Sequence, residues 1–151
     1  MHVTRMITSE AFAQLHRHQA AILETFGHAI RLVEGEPQLV QRSLSIARWT
    51  LAQQSREYQL FKRTEIFEPT IRYGSAERAS QASELMWLCT GRHEALIDYV
   101  RHWTSRDVVG EWVMFKAATC ELAVTLRQAL AQERKDITGL LAGCARTRQL
   151  G

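Results

Sequence analysis

Four histidine and carboxylate side chains fall where the hydrophobic pattern of this chain points inward. His16 shares a helical stripe with Phe12, Gln19, Leu23 and Phe26, and Glu65 falls with Gln54 and Ser55 beside Leu51, Tyr58 and Phe61. His93 stands three residues before Leu96 and seven before Val100. Glu133 is flanked by Leu126, Ala129, Leu130 and Ile137, in a ladder that Thr119 also interrupts. Imidazole and carboxylate groups on facing helices are how bundles hold iron, manganese or zinc, so these residue types point to metal chemistry. The competing reading is that the same groups hydrogen-bond one another in the interior, because buried polar atoms need partners.

Spacing separates the two readings. Ligands on one helix must lie three or four residues apart to face one ion. Glu24–His28 and Asp98–His102 have that spacing, but the first pair flanks its stripe. The second lies five and nine residues beyond His93, away from the seam. Both read as exposed intrahelical pairs worth about 0.2–0.5 kcal/mol. The interior set therefore offers one ligand per helix. No Gly-x-Ser-x-Gly, glycine-rich phosphate loop or His-Glu-x-x-His occurs. Cys89, Cys120 and Cys144 are too widely spaced for a disulfide framework or a Cys-x-x-Cys clamp. The first two read as small core hydrophobes, and the third sits in a tail where exposure would allow oxidation. Trp49, Trp87, Trp103 and Trp112 read as packing residues; no basic stripe interleaves with them, and Arg146 and Arg148 read as solvated charge, so nucleic acid is not expected. A phosphorelay histidine must be exposed, whereas His93 falls on the apolar seam.

The elements that carry these residues have a helical period nearly throughout. Helices are expected over residues 9–33, 38–67, 76–103 and 111–141. Thr8 or Ser9 is placed to cap the first, Gly35 and Pro37 to separate it from the second, and Pro69 to stop the second. Gly74 and Ser75 open the third, and Gly139 and Gly143 loosen the end of the fourth. With no period-two run and no hairpin signal, the expectation is an all-α, up-down-up-down four-helix bundle. The 151 residues form a single domain with its core over about 9–142 and a tail at 143–151. A net charge of +3 is too mild to call for a membrane or nucleic-acid partner. No apolar run is long enough for a membrane span, and the first residues have no signal-peptide core, so a cytoplasmic protein is expected.

The stretches LHRHQAAILETF, FKRTEIFEP, GRHEALIDYVRHW and EWVMFKAATCELAVTLRQALAQERKDITGLL resemble the hemerythrin-like, HHE cation-binding family in their rhythm. The likeness spans residues 10–142 and implies a hemerythrin-like bundle. It implies His16 or His18 as the first-helix ligand, Glu65 as the second, His93 as the third and Glu133 as the fourth. The family's paired ligands are missing, however. Phe61 stands four residues before Glu65, Ala129 four before Glu133 and Ile97 four after His93. Counting back from Pro69 instead puts Gln59 and Arg63 in the second helix's ligand places. None of Phe, Ala and Ile coordinates a metal. The expectation is a bundle that has lost most of its metal site, carries no cofactor, and acts as a non-catalytic binding or regulatory protein with a regulatory protein as partner. The alternative keeps iron or another divalent metal on His16 or His18, Glu65, His93 and Glu133, and senses or binds oxygen, nitric oxide or peroxide. A di-metal enzyme needs more ligands than the chain offers. The oligomeric state is left open.

Overall fold

Apolar residues at three- and four-residue spacing wind the chain into four long rods, with no strand among the described residues. A computed structural model describes residues 2–150, with side chains over 9–143; the side chains of Thr8, Cys144, Arg146 and Arg148 lie outside the described residues. The first rod is α1 (His2–Leu32). The second is α2 (Pro37–Phe61), continued by a π-helical turn at Lys62–Phe67 and by α3 (Glu68–Tyr73). The third is α4 (Ala76–Thr104) and the fourth α5 (Trp112–Leu150). α1 packs on α2 and α5, α2 on α4, and α4 on α5.

The joints follow local chemistry. Pro37 occupies the first turn of α2, where its missing N–H removes no helical bond. Gly74 leaves the helical conformation after its N–H bonds the Thr70 carbonyl at 2.9 Å, and a Cβ there would lie 2.5 Å from that oxygen, so a larger residue does not fit. The Ser75 side chain caps α4 by accepting from the Arg78 N–H at 3.2 Å. Between α4 and α5, Asp107 Oδ1 accepts from the Gly110 N–H at 3.0 Å, and Arg106 grips Glu111 through two bonds of 2.9 and 2.7 Å.

Several boundaries differ from expectation. Ser9 is not a cap, because α1 is already helical at His2. α5 runs through Gly139 and Gly143. Pro69 does not stop the second rod, which continues to Tyr73. The π turn explains this: the Glu68 N–H bonds back five residues to the Arg63 carbonyl, so Pro69 enters in the first turn of a new α segment, where a proline is tolerated.

That turn also resets which residues face inward. Along α2 the buried positions Leu44, Arg48, Leu51, Ser55, Tyr58 and Lys62 alternate steps of four and three. An unbroken α-helix would next bring Glu65 inward. The extra residue of the π turn instead buries Ile66 and Phe67 and leaves Glu65 exposed.

The interior divides into two clusters. The larger includes Leu15, Ile22, Leu51, Phe67, Leu96 and Ile137; the smaller gathers Val33, Leu44, Trp103, Val108 and Phe115. Each fully buried Leu, Ile or Phe contributes about 1.5–3 kcal/mol relative to its exposed form. Trp103 belongs to this core and Trp112 packs against it, but Trp49 and Trp87 are 62% and 75% exposed and lie on outer faces. No described helix is long and apolar enough to cross a membrane.

Candidate functional site

The larger cluster encloses a set of charged and polar side chains drawn from all four rods. Glu133 on α5 is their centre. Its Oε1 accepts from Lys62 Nζ at 2.7 Å and from the Tyr58 hydroxyl at 3.1 Å, while Oε2 accepts from Arg92 Nη1 at 3.1 Å. The Lys62 and Glu133 side chains are both 3% exposed. Lys62 Nζ also lies 3.9 Å from the centre of the Tyr58 ring, a cation–π contact in a dry setting. From α1, Gln19 Nε2 donates to the Tyr58 oxygen and to the Leu130 carbonyl, each at 2.9 Å, and Gln19 Oε1 accepts from Arg134 at 3.2 Å. The Cys89 thiol on α4 is buried in the same cluster, where the charges of Lys62 and Glu133 act on it.

These contacts set the protonation states. Burial pushes the Glu133 carboxyl towards its neutral form, but the Lys62 charge and the bonds from Lys62 and Arg92 outweigh it and hold the pKa below 4.5. Burial, reinforced by the Glu133 charge, raises the Tyr58 phenol well above its ordinary 10.0. Burial likewise pushes the Cys89 thiol up to about 12, so it stays protonated and is not a nucleophile. The cluster is a carboxylate enclosed by two cations and a neutral phenol.

The residues expected to hold a metal are not brought together. His16 and Glu65 are exposed, the latter because of the π turn. His18 is half-buried and stacks on Phe61 and Tyr58, with ring centres 4.9 and 5.9 Å apart, as a lid over the cluster's edge. His93 is half-buried, its Nδ1 2.7 Å from Ser55 Oγ. Burial lowers the pKa of both half-buried histidines, with the Lys62 charge adding to the effect at His93. Glu133 alone of the five lies in the core. Among the described residues no three His, Cys, Asp or Glu side chains come together. A resident divalent metal does not fit this donor set: both oxygens of Glu133 already serve bonded cations, and a further cation beside Lys62 would be repelled.

The Ser55–His93 pair has the first two members of a nucleophile–base unit. No described carboxylate hydrogen-bonds the far side of the His93 ring, so the orienting third member is lacking. It ties α2 to α4, as Gln59 does through its 3.0 Å bond to Thr90.

Sequence reasoning placed Gln19, Ser55 and Glu133 on inward stripes but missed Lys62 and Arg92. Lys62 was findable: it lies four residues after Tyr58 and seven after Ser55, on the same stripe. Glu24, His28, Asp98 and His102 are all exposed, as expected, but Asp98 pairs with Arg101 at 3.7 Å and not with His102. Compared with known proteins, the chain matches no family model, no curated protein and no solved structure.

Proposed function

We propose that this chain is a hemerythrin-like, up-down-up-down bundle in which an internal ion cluster stands in place of a metal, and that it works without a cofactor as a non-catalytic binding or regulatory protein. The observation that carries this reading is the engagement of both Glu133 oxygens, Oε1 by Lys62 and Tyr58 and Oε2 by Arg92. Three of the about four lone-pair sites of that carboxylate are taken, two on Oε1 and one on Oε2, and its charge is already compensated. The raised thiol pKa of Cys89 and the unoriented Ser55–His93 pair support a site that does not turn substrate over. On this reading the chain acts in the cytoplasm through a regulatory protein partner.

The test is elemental analysis of protein purified without a histidine tag, with a near-ultraviolet absorption scan. Iron, manganese and zinc far below one equivalent are expected. Stoichiometric iron with oxo-to-iron absorption would overturn the reading in favour of a sensor of oxygen, nitric oxide or peroxide.

A further inference from the structure

The second rod carries an apolar stripe that its own bundle leaves uncovered. Leu39, Ile46, Trp49 and Leu60 of α2 are each more than half exposed, with Arg42 and Gln53 between them in steps of three, four and seven. At about 3.6 residues per turn these positions fall within about 80° of arc. That arc lies across the rod from Leu44, Leu51 and Tyr58, which face the core. The stripe runs for about 32 Å at about 1.5 Å per residue. Exposed hydrophobics scattered singly are ordinary, but a row of them on one helix face, flanked by charge, marks an interaction surface.

The charges select the occupant. Arg42 and Glu57 are both exposed, and neither has an ion-pair partner among the described residues. Turned end for end about a two-fold axis between Trp49 and Thr50, the stripe meets itself. Leu39 then faces Leu60 of the second copy, Ile46 faces the stem of its Gln53, and Arg42 faces its Glu57, each contact occurring twice by symmetry. Trp49 faces Thr50 of the second copy, whose hydroxyl already donates to the Ile46 carbonyl at 2.8 Å and so leaves its methyl group for the ring. Pairing in the same direction would instead set Arg42 against Arg42 and Glu57 against Glu57, and like charges so placed repel.

We infer that the outer face of α2 docks the same face of a second copy of this chain, as an antiparallel, two-fold helix pair. Trp49 at its centre supplies the largest apolar surface, and the two Arg42–Glu57 pairs fix the register. A single helix pair of this length stands at the small end of specific interfaces, so the association is weak and reversible. The inference goes beyond the regulatory reading and does not rest on it, because none of the stripe residues takes part in the ion cluster around Glu133.

The test is sedimentation equilibrium of the full chain over a range of concentrations. The expected result is a reversible rise in mass from 17.3 kDa to twice that value, with a dissociation constant of about 1–100 µM. Trp49→Glu is expected to raise that constant by at least about thirtyfold. Arg42→Glu alone is expected to raise it about tenfold, and the double variant Arg42→Glu/Glu57→Arg to return it to within about threefold of wild type. All three side chains are exposed, so the variants keep the fold, and helix content by circular dichroism checks this. A monomer at every concentration would overturn the proposal and leave the stripe to a different protein. A dimer undiminished by Trp49→Glu would overturn the choice of face. A double variant no tighter than Arg42→Glu would overturn the antiparallel register.

Discussion

The Lys62 ammonium lies 2.7 Å from the Glu133 carboxylate in the interior of the bundle, joining residues 71 positions apart in sequence. Two opposite charges removed from water in this way are costly to separate, because deleting one leaves the other buried and unpaired. Lys62→Met is therefore expected to destabilise the fold by about 3–5 kcal/mol. Chemical denaturation checks this, and the double variant Lys62→Met/Glu133→Leu is expected to recover a large part of the loss. Equal or greater destabilisation of the double variant would show that the pair is not the origin of the cost.

Acid should expose the same carboxylate. The folded-state pKa of Glu133 lies below its ordinary 4.5, so below that pH the unfolded chain binds more protons than the folded one. Its contribution is fully present above 4.5 and is lost as the pH falls through the lower folded value. Unfolding free energy measured across that range is expected to drop with acid in the wild type, and to drop less steeply in Glu133→Gln.

The half-buried histidines add a second window with the same sign. His18 and His93 have folded pKa values below 6.5, so between 6.5 and those values the unfolded state again takes up more protons. Stability is expected to decline as the pH falls below 6.5, and His93→Gln should flatten part of that slope. A wild-type stability unchanged across this window would contradict the assignment.

Tyr58 links Gln19 to Glu133, so removing only its oxygen tests the network. Tyr58→Phe keeps the ring under Lys62 but deprives Glu133 of a donor and Gln19 of an acceptor. A loss of about 1–3 kcal/mol is expected. In a Glu133→Gln background the loss should change by about 0.5–3 kcal/mol, the range for residues that share a network. Additive costs would mean that the two residues act separately.

What the sequence revealed depended on whether a residue obeys helical periodicity. Leu15, Ile22, Leu51, Leu96 and Ile137 repeat at helical spacing and all lie in the core. Ser75 carries a local signal for a helix start and caps α4 at the expected place, whereas Pro37, expected to end the first helix, lies in the first turn of α2. Glu65 was misplaced because periodicity assumes a constant turn, and one π turn between Lys62 and Phe67 rotates everything after it. Pro69 was misread for the same reason. Lys62, Arg48 and Arg92 were passed over because charge type suggests solvent, although Lys62 and Arg48 sit on the stripe. Which carboxylate a buried cation meets depends on how α2, α4 and α5 come together, and no local pattern encodes that.

The central claim, that a lysine and not a metal balances the charge of Glu133, is tested most directly by a crystal structure of natively purified protein with data collected at the iron, zinc and manganese edges. The expected result is Lys62 Nζ in hydrogen-bond contact with Glu133 and no anomalous signal beside that carboxylate. An anomalous peak bonded to Glu133 and to histidine side chains, with Lys62 turned away, would contradict it.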